Sequence, residues 1–149
     1  MILSYVEEHA EQRGNDAALR SEDTVLSYSA LMHEVDRAVS LLSDAGVTKD
    51  TTLAVYCENS SDIMVLYYAM AKIGGTFVPV NAVLSSAEVA YIIGHADAKF
   101  LFTDHKLYAN AAAATSESDC SLINTHSFFE ARMFEPAPID QETEVNQDF

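Results

Sequence analysis

The sequence predicts an α/β domain: a doubly wound, mostly parallel sheet with helices on both faces, preceded by an N-terminal helix and a small hairpin. From residue 53 onward, short apolar segments alternate with helical ones in the order βαβαβαβα. Because the connections are short, we expect consecutive strands to run parallel, joined by crossover helices. Hydrophobic residues make up 49% of the 149 residues, which is enough to build a core for this fold.

Two elements precede the alternating part. Residues 2–13 have the spacing of a short amphipathic helix, and Gly14 directly after them is a natural stop. The stretch from Ala18 to Ser27 is typical of a small hairpin, with its turn at Ser21-Glu22-Asp23.

A second, longer helix is predicted after Tyr28. Its apolar residues recur at spacings of four and three, which places them in one stripe along the helix. The stripe consists of Leu31, Val35, Ala38, Leu42 and Ala45. Gly46 is expected to end this helix.

The helix over residues 61–73 is apolar nearly all round, so we expect it to be buried. Asn59 or Ser60 would cap its N-terminus, and Asp62 in its first turn would interact favourably with the helix dipole. The pair Gly74-Gly75 would end it.

Four segments have the composition of buried strands: Leu53–Cys57, Thr76–Val80, Lys99–Thr103 and Cys120–Ile123. Between them, Ser85 and Glu88 form a capping-box pattern that predicts a helix over residues 86–95. An alanine-rich helix is predicted over His105–Thr115, and a short helix over Ser127–Arg132.

The domain organisation follows from these elements. Residues 1–133 are interpreted as a single α/β subdomain. Residues 134–149 contain Pro136, Pro138 and several acids without periodicity, which predicts an acidic, proline-containing linker.

The charge balance excludes some partners. Eight basic and 23 acidic residues give a net charge of −15. A surface of this sign repels nucleic-acid phosphates and anionic membrane surfaces, so we expect no nucleic-acid partner.

No targeting or spanning segment is expected either. The N-terminal residues lack the basic and apolar regions of a secretory signal. The most apolar stretch, Ile63 to Val80, is interrupted by Lys72, two glycines and Pro79, so it does not predict a membrane span. Cys57 and Cys120 show no CxxC pattern, which favours reduced thiols and a cytoplasmic location.

Motifs that carry chemistry are missing. The sequence has no glycine-rich phosphate loop, no nucleophile elbow and no cluster of His and Cys at metal-ligand spacing, so no catalytic, cofactor-binding or metal-binding residue is predicted. Asn81 is the one candidate for substrate binding, because it follows a predicted strand where α/β sheets bind ligands. The alternative is a turn residue that hydrogen-bonds its own backbone. Asp104-His105 is interpreted as a helix start.

Five strings in order resemble motifs of the adenylate-forming enzymes, a superfamily of acyl-CoA synthetases, peptide-synthetase adenylation domains and luciferases. Leu26–Leu31 resembles LTYxEL, Ala45–Val55 resembles GVxKGDxVAI, Glu58–Ser60 resembles xNS, Met70–Asn81 resembles xLKAGxxYVPLN/D, and Glu88–Thr103 resembles ELxYILxDSxAKxLxT. The close resemblance covers residues 26–103. It implies that the chain is an N-terminal subdomain of the adenylate-forming fold.

The sequence departs from the family pattern at a few positions. Asp50-Thr51 stands where Gly-Asp is usual, and Ala30 where Glu is usual. Asn81 followed by Ala82 is more similar to the Asn-Pro of acyl-CoA synthetases than to the Asp of peptide-synthetase domains.

The resemblance implies the N-terminal fragment of an AMP-forming acyl-CoA synthetase, a ligase acting on a fatty acid or other carboxylate. The parent enzyme would use ATP, Mg²⁺ and CoA: it would form an acyl-adenylate and then transfer the acyl group to CoA. The sequence has no counterpart of the family's phosphate loop or catalytic lysine. In the family, both would follow a stretch like the predicted linker. We therefore expect this fragment to bind no cofactor and to be inactive alone, its partner being the remainder of the parent ligase.

Two alternatives remain at the level of the sequence. The chain could be a truncated, standalone scaffold that pairs with a full-length ligase or another subunit, or that self-associates through an exposed sheet edge. It could also be an unrelated flavodoxin-like domain with a small ligand, although no strand is followed by a phosphate-binding glycine loop.

Overall fold

The computed structural model describes residues 2–20, 25–58 and 60–124. The turn predicted at residues 21–23, the helix predicted over 127–132 and the linker predicted over 134–149 lie outside the described residues, as does Asn59.

Five helices and six strands make up the described part of the chain. The helices are α1 (Ile2–Gln12), α2 (Tyr28–Ala45), α3 (Ser60–Ile73), α4 (Ser86–His95) and α5 (Tyr108–Thr115). The strands are β1 (Ala17–Arg20), β2 (Val25–Ser27), β3 (Thr52–Tyr56), β4 (Thr76–Pro79), β5 (Phe100–Thr103) and β6 (Ser121–Asn124).

The sheet confirms the predicted fold class. Strands β1 and β2 form the antiparallel hairpin, and the other four strands form a parallel sheet in the order β4-β3-β5-β6. The chain therefore moves from β3 outward to β4, and then crosses over β3 to reach β5 and β6. Since parallel crossovers are right-handed, this reversal of direction requires helices on both faces.

The central strand β3 divides the interior into two cores. Leu53, Val55 and Cys57 lie in one cluster with the inner sides of α2 and α3. Ala54 and Tyr56 point to the opposite face and pack with α4 and α5. This alternation with a period of two is the physical reason that the whole strand is apolar.

Local capping signals place the end of α2 and the start of α4 where the sequence predicts them. The Ser27 hydroxyl accepts a hydrogen bond from Ala30 N (3.1 Å) at the start of α2, and Gly46, with a φ of 107°, ends that helix. The capping box of α4 is present, and the backbone N–H of Ser85 donates to the Glu88 carboxylate (3.0 Å). This bond, helped by the Ser85 side chain, lowers the pKa of Glu88.

Three expectations need correction. Helix α5 begins at Tyr108 rather than His105, because residues 105–107 form a separate turn, and the Asp104 carboxylate caps that turn by accepting a hydrogen bond from Leu107 N (2.9 Å). Ala45 is exposed, because the chain already turns away at Gly46. Helix α3 is not buried all round: the side that faces the sheet and α2 is enclosed, whereas Tyr67, Ala71 and Lys72 are exposed.

We expect Gly75→Ala to destabilise the protein by ~1–3 kcal/mol through overpacking. A Cβ at this position would lie 2.6 Å from Met70 Cε, 2.8 Å from Thr51 O and 2.9 Å from Thr48 O. Two of these neighbours are backbone atoms, which cannot move without shifting the start of β3. Urea unfolding measures the change.

Gly94→Ala is the matched control. Gly94 lies inside α4, and a Cβ there would meet nothing within 4 Å. We expect this substitution to stabilise the protein by ~0.5–1 kcal/mol, because alanine is the better helix former. Equal effects of the two substitutions would contradict the packing argument at Gly75.

Candidate functional site

The topology locates the crevice in which an α/β sheet of this kind binds ligands. Ligands lie beyond the carboxyl ends of the strands, between neighbouring strands whose following helices lie on opposite faces. Helices α3 and α5 follow β3 and β5 and belong to different cores, so the crevice lies between these two strands. Residues 57–58 and 103–104 flank it.

The carboxylate of Asp104 bridges the two sides of this crevice. Its Oδ2 accepts a hydrogen bond from Glu58 N (2.7 Å) and its Oδ1 accepts one from Leu107 N (2.9 Å). The side chain of Lys106 forms an ion pair with Glu58 (3.1 Å) at the same place. Two backbone donors that could hold a phosphate or carboxylate are thus taken by an anion of the chain itself.

Asp104 also joins the ends of two strands that are far apart in sequence. The bond to Glu58 spans 46 residues along the chain. From the sequence, Asp104 is interpreted only as a helix start, and the available signal was an aspartate directly after a buried strand. The partner could not be identified, because it depends on β3 and β5 being neighbours.

Asn81, the sequence candidate, lies at the end of β4, one strand away from the crevice. Its side-chain Oδ1 accepts a hydrogen bond from Val83 N (3.0 Å), and its backbone oxygen accepts one from Leu84 N (3.1 Å). These contacts are those of a turn residue. The side chain is exposed, so a contact between Asn81 and a substrate stays a prediction.

Tyr56 fixes the loop that carries Asn81, and sequence reasoning missed it. Its ring is fully buried in β3, its hydroxyl donates to Leu84 O (2.7 Å), and it accepts from Asn110 Nδ2 (3.3 Å). One phenol thereby connects β3, the loop after β4 and helix α5. The sequence signal was weak: a tyrosine in an apolar strand, whose hydroxyl requires a partner when buried.

A small cleft of about 110 Å³ lies at the opposite, amino end of the sheet. Lys99, Asp119 and Cys120 are among the residues that line it. Burial raises the pKa of the Cys120 thiol to about 11, although the nearby Lys99 acts in the other direction. The thiol is therefore protonated at neutral pH and is a poor nucleophile.

The described residues meet neither the requirements of a metal site nor those of a membrane-spanning helix. Across residues 2–20, 25–58 and 60–124, no three His, Cys, Asp or Glu side chains come together in a way that could hold a metal ion. Within the same residues, no helix has the length and apolar character needed to cross a membrane. The described part of the carboxyl edge consists of loops that the hydrogen bonds of Asp104 and Tyr56 hold in place.

Comparison with known proteins gives a family match. A family model described as "AMP-binding enzyme" matches residues 6–148. The chain is 31% identical over 118 residues to crotonobetaine/carnitine–CoA ligase of Citrobacter koseri, covering 76% of this chain and 23% of that ligase. It is 29% identical over 123 residues to surfactin synthase subunit 1 of Bacillus subtilis, covering 83% of this chain and 3% of that protein.

Solved structures show the same fold. A benzoate CoA ligase from Burkholderia xenovorans LB400 superposes with a TM-score of 0.80 at 22% identity, covering 91% of this chain and 28% of that one. A Mycobacterium tuberculosis fatty acyl CoA synthetase gives a TM-score of 0.80 at 22% identity, covering 94% of this chain and 29% of that one. The chain thus spans less than a third of each of these proteins.

We expect Asn81→Ala to lower stability by about 1 kcal/mol, because it leaves Val83 N without its acceptor. Asn81→Asp retains a side-chain oxygen for this bond and is expected to change stability less. Thermal unfolding of both variants measures the difference. If the two substitutions cost the same, the turn contact is not what Asn81 contributes.

We expect Cys120 to react slowly with iodoacetamide at pH 8, and faster as the pH approaches its pKa of about 11. Peptide mass spectrometry gives the rate at each pH, and the same cysteine in urea-unfolded protein is the control. A native rate equal to the unfolded rate at pH 8 would show that the thiol is not buried.

Proposed function

The chain belongs to the AMP-binding enzyme family, and from this membership we propose that it is the N-terminal part of an AMP-forming acyl-CoA synthetase. The complete ligase would activate a fatty acid or related carboxylic acid with Mg²⁺ and ATP, forming an acyl-adenylate and pyrophosphate. It would then transfer the acyl group to the thiol of CoA.

The observation that carries this proposal is the family match over residues 6–148. The choice of a CoA ligase within the family has narrower support. Crotonobetaine/carnitine–CoA ligase of Citrobacter koseri is 31% identical to this chain over 118 residues. Asn81-Ala82 is also more similar to the Asn-Pro of acyl-CoA synthetases than to the Asp of peptide-synthetase domains.

We also propose that the described residues do not bind ATP and Mg²⁺ by themselves. Transfer of a nucleotidyl group requires cations that stabilise the charge developing on the phosphates. Three of the four lysines pair with carboxylates of the chain itself: Lys72 with Asp36 (2.6 Å), Lys106 with Glu58 (3.1 Å) and Lys99 with Asp97 (3.3 Å). We therefore propose that this part of the ligase is a scaffold that other segments complete, and that alone it is inactive.

We also propose a cytoplasmic location for the ligase. Cys57 and Cys120 are both buried and form no disulfide, as is usual for proteins of a reducing compartment.

The alternative is a standalone scaffold that pairs with another chain through an edge of the sheet. Strand β4 lies at one edge, and it is poorly suited to pairing with a further strand. The N–H groups of Thr76 and Val80 point inward, to Thr51 O (3.0 Å) and Val55 O (2.9 Å). The direction of the backbone groups alternates along the strand, so the backbone N–H of Phe77 and the ring nitrogen of Pro79 point away from β3. Pro79 has no N–H, so this edge offers a partner strand few donors.

We expect the 149-residue chain to show no carboxylate-dependent exchange of pyrophosphate into ATP with a panel of fatty and aromatic acids. The physical reason is that carboxylates of the chain already pair with Lys72, Lys99 and Lys106, so these cations are not available to phosphates. An acyl-CoA synthetase assayed in parallel is the positive control. Exchange above background that requires a carboxylate would overturn the inactivity of this part.

A further inference from the structure

The hydroxyl group of Tyr56 lies where three elements of the carboxyl edge meet. Tyr56 is the last residue of β3, and its side chain is buried. The hydroxyl donates to Leu84 O (2.7 Å), in the loop after β4, and accepts from Asn110 Nδ2 (3.3 Å), on α5. Strands β4 and β5 flank β3, so this one group connects the segments that follow both of its neighbours. A phenylalanine would fill the same space without either bond, so packing alone does not explain a tyrosine here.

The loop between β4 and α4 is held in one conformation. Asn81 accepts a hydrogen bond from Val83 N through its side chain (3.0 Å) and one from Leu84 N through its backbone oxygen (3.1 Å). Ser85, the next residue, is the N-cap of α4. The bond from Tyr56 to Leu84 O then attaches the loop to the core beneath it. The direction in which the loop presents its side chains is therefore set by the core.

This fixed loop holds an apolar side chain out in solvent. Val83 is 84% exposed, more than any other large apolar residue in the described part of the chain. Its neighbour Leu84, by contrast, packs against the core. The hydrogen bonds of the loop prevent Val83 from folding back onto the protein. An apolar group fixed in water gains free energy when another apolar group covers it.

The location of the loop indicates which kind of group covers Val83. The loop lies at the carboxyl edge of the sheet, where α/β folds bind their ligands. An anionic group is poorly suited, because Asp104 takes two backbone donors of this edge and the chain has a net charge of −15. An uncharged aliphatic chain is well suited. Two substrates of the proposed ligase contain one: the acyl chain of the carboxylic acid and the pantetheine arm of CoA.

We propose that Tyr56 is a positioning residue of the complete ligase, and that it holds Val83 against the aliphatic part of a substrate. This inference rests on the proposed function, because it takes the ligase to act on a carboxylic acid and CoA. Tyr56 itself touches no substrate, since its side chain is buried. Val83 makes the contact, and Tyr56 determines where Val83 lies.

Hydrogen exchange in the 149-residue chain, followed by NMR, tests the positioning. Tyr56→Phe removes the hydroxyl and keeps the ring. We expect the backbone amides of Val83 and Leu84 to exchange several-fold faster in this variant, and those of β3 to keep their rates. Tyr91→Phe is the matched control, because it removes a hydroxyl from a residue of α4 that is 71% exposed, and it should change none of these rates. Unchanged exchange of Val83 and Leu84 in Tyr56→Phe would overturn the positioning.

Steady-state kinetics of the protein expressed from the complete coding sequence test the contact. Val83→Thr keeps the shape of the side chain and replaces a methyl group by a hydroxyl. We expect it to raise the KM of one aliphatic substrate several-fold and to leave kcat unchanged, because the contact is equal in the ground state and the transition state. Tyr56→Phe should raise the same KM, whereas a loss of folded enzyme would lower kcat and leave KM unchanged. Ala87→Ser, at an exposed position in the first turn of α4, is the control and should change neither constant.

The substrate whose KM rises identifies the source of the aliphatic chain. An effect on the carboxylic acid that grows from butyrate to octanoate assigns the contact to the acyl chain. An effect on CoA that is the same for every acid assigns it to the pantetheine arm. Unchanged KM values for both substrates in an active enzyme would overturn the inference alone. A complete protein without pyrophosphate exchange would overturn the proposed function and, with it, the contact.

Discussion

The requirement that strand β3 bury both of its faces governs the rest of this structure. Leu53 and Val55 need a cover on one side, and Ala54 and Tyr56 need one on the other. One layer of helices cannot satisfy both, so the chain must place helices on each face of the sheet. The right-handed crossover then determines that β4 and β5 lie on opposite sides of β3.

This arrangement determines where ligand chemistry could occur. The neighbouring ends of β3 and β5 form the crevice that a nucleotide or a substrate would use in an open α/β sheet. Asp104 occupies it with its own carboxylate, and Tyr56 holds the adjacent loop by its hydroxyl. These contacts give rigid loops, but they use the backbone donors that an anionic ligand would need. These contacts are the reason that we propose a supporting role for this part of the ligase, with the phosphate chemistry in other segments.

The distribution of charge separates two kinds of surface. Carboxylates of the chain neutralise Lys72, Lys99 and Lys106, so these lysines do not attract other anions. The net charge of −15 repels anionic ligands as well as further copies of the chain. The loop after β4 carries no charge over residues 81–84, and it is the surface on which a contact is inferred. The acidic exterior and the exposed Val83 are together the reason that this contact is proposed to involve the aliphatic part of a substrate.

The sequence by itself determined the features that depend on near neighbours. The stripe of α2, its end at Gly46 and the Ser85–Glu88 capping box all rest on residues a few positions apart. The alternation of short apolar and helical segments, which is also local, predicted the fold class. Only the tertiary structure decided the order of the strands, and with it the 46-residue contact between Asp104 and Glu58 and the location of the crevice away from Asn81. The exposed side of α3 was likewise beyond sequence reasoning, because an apolar residue shows that a cover is favourable but does not identify the surface that provides it.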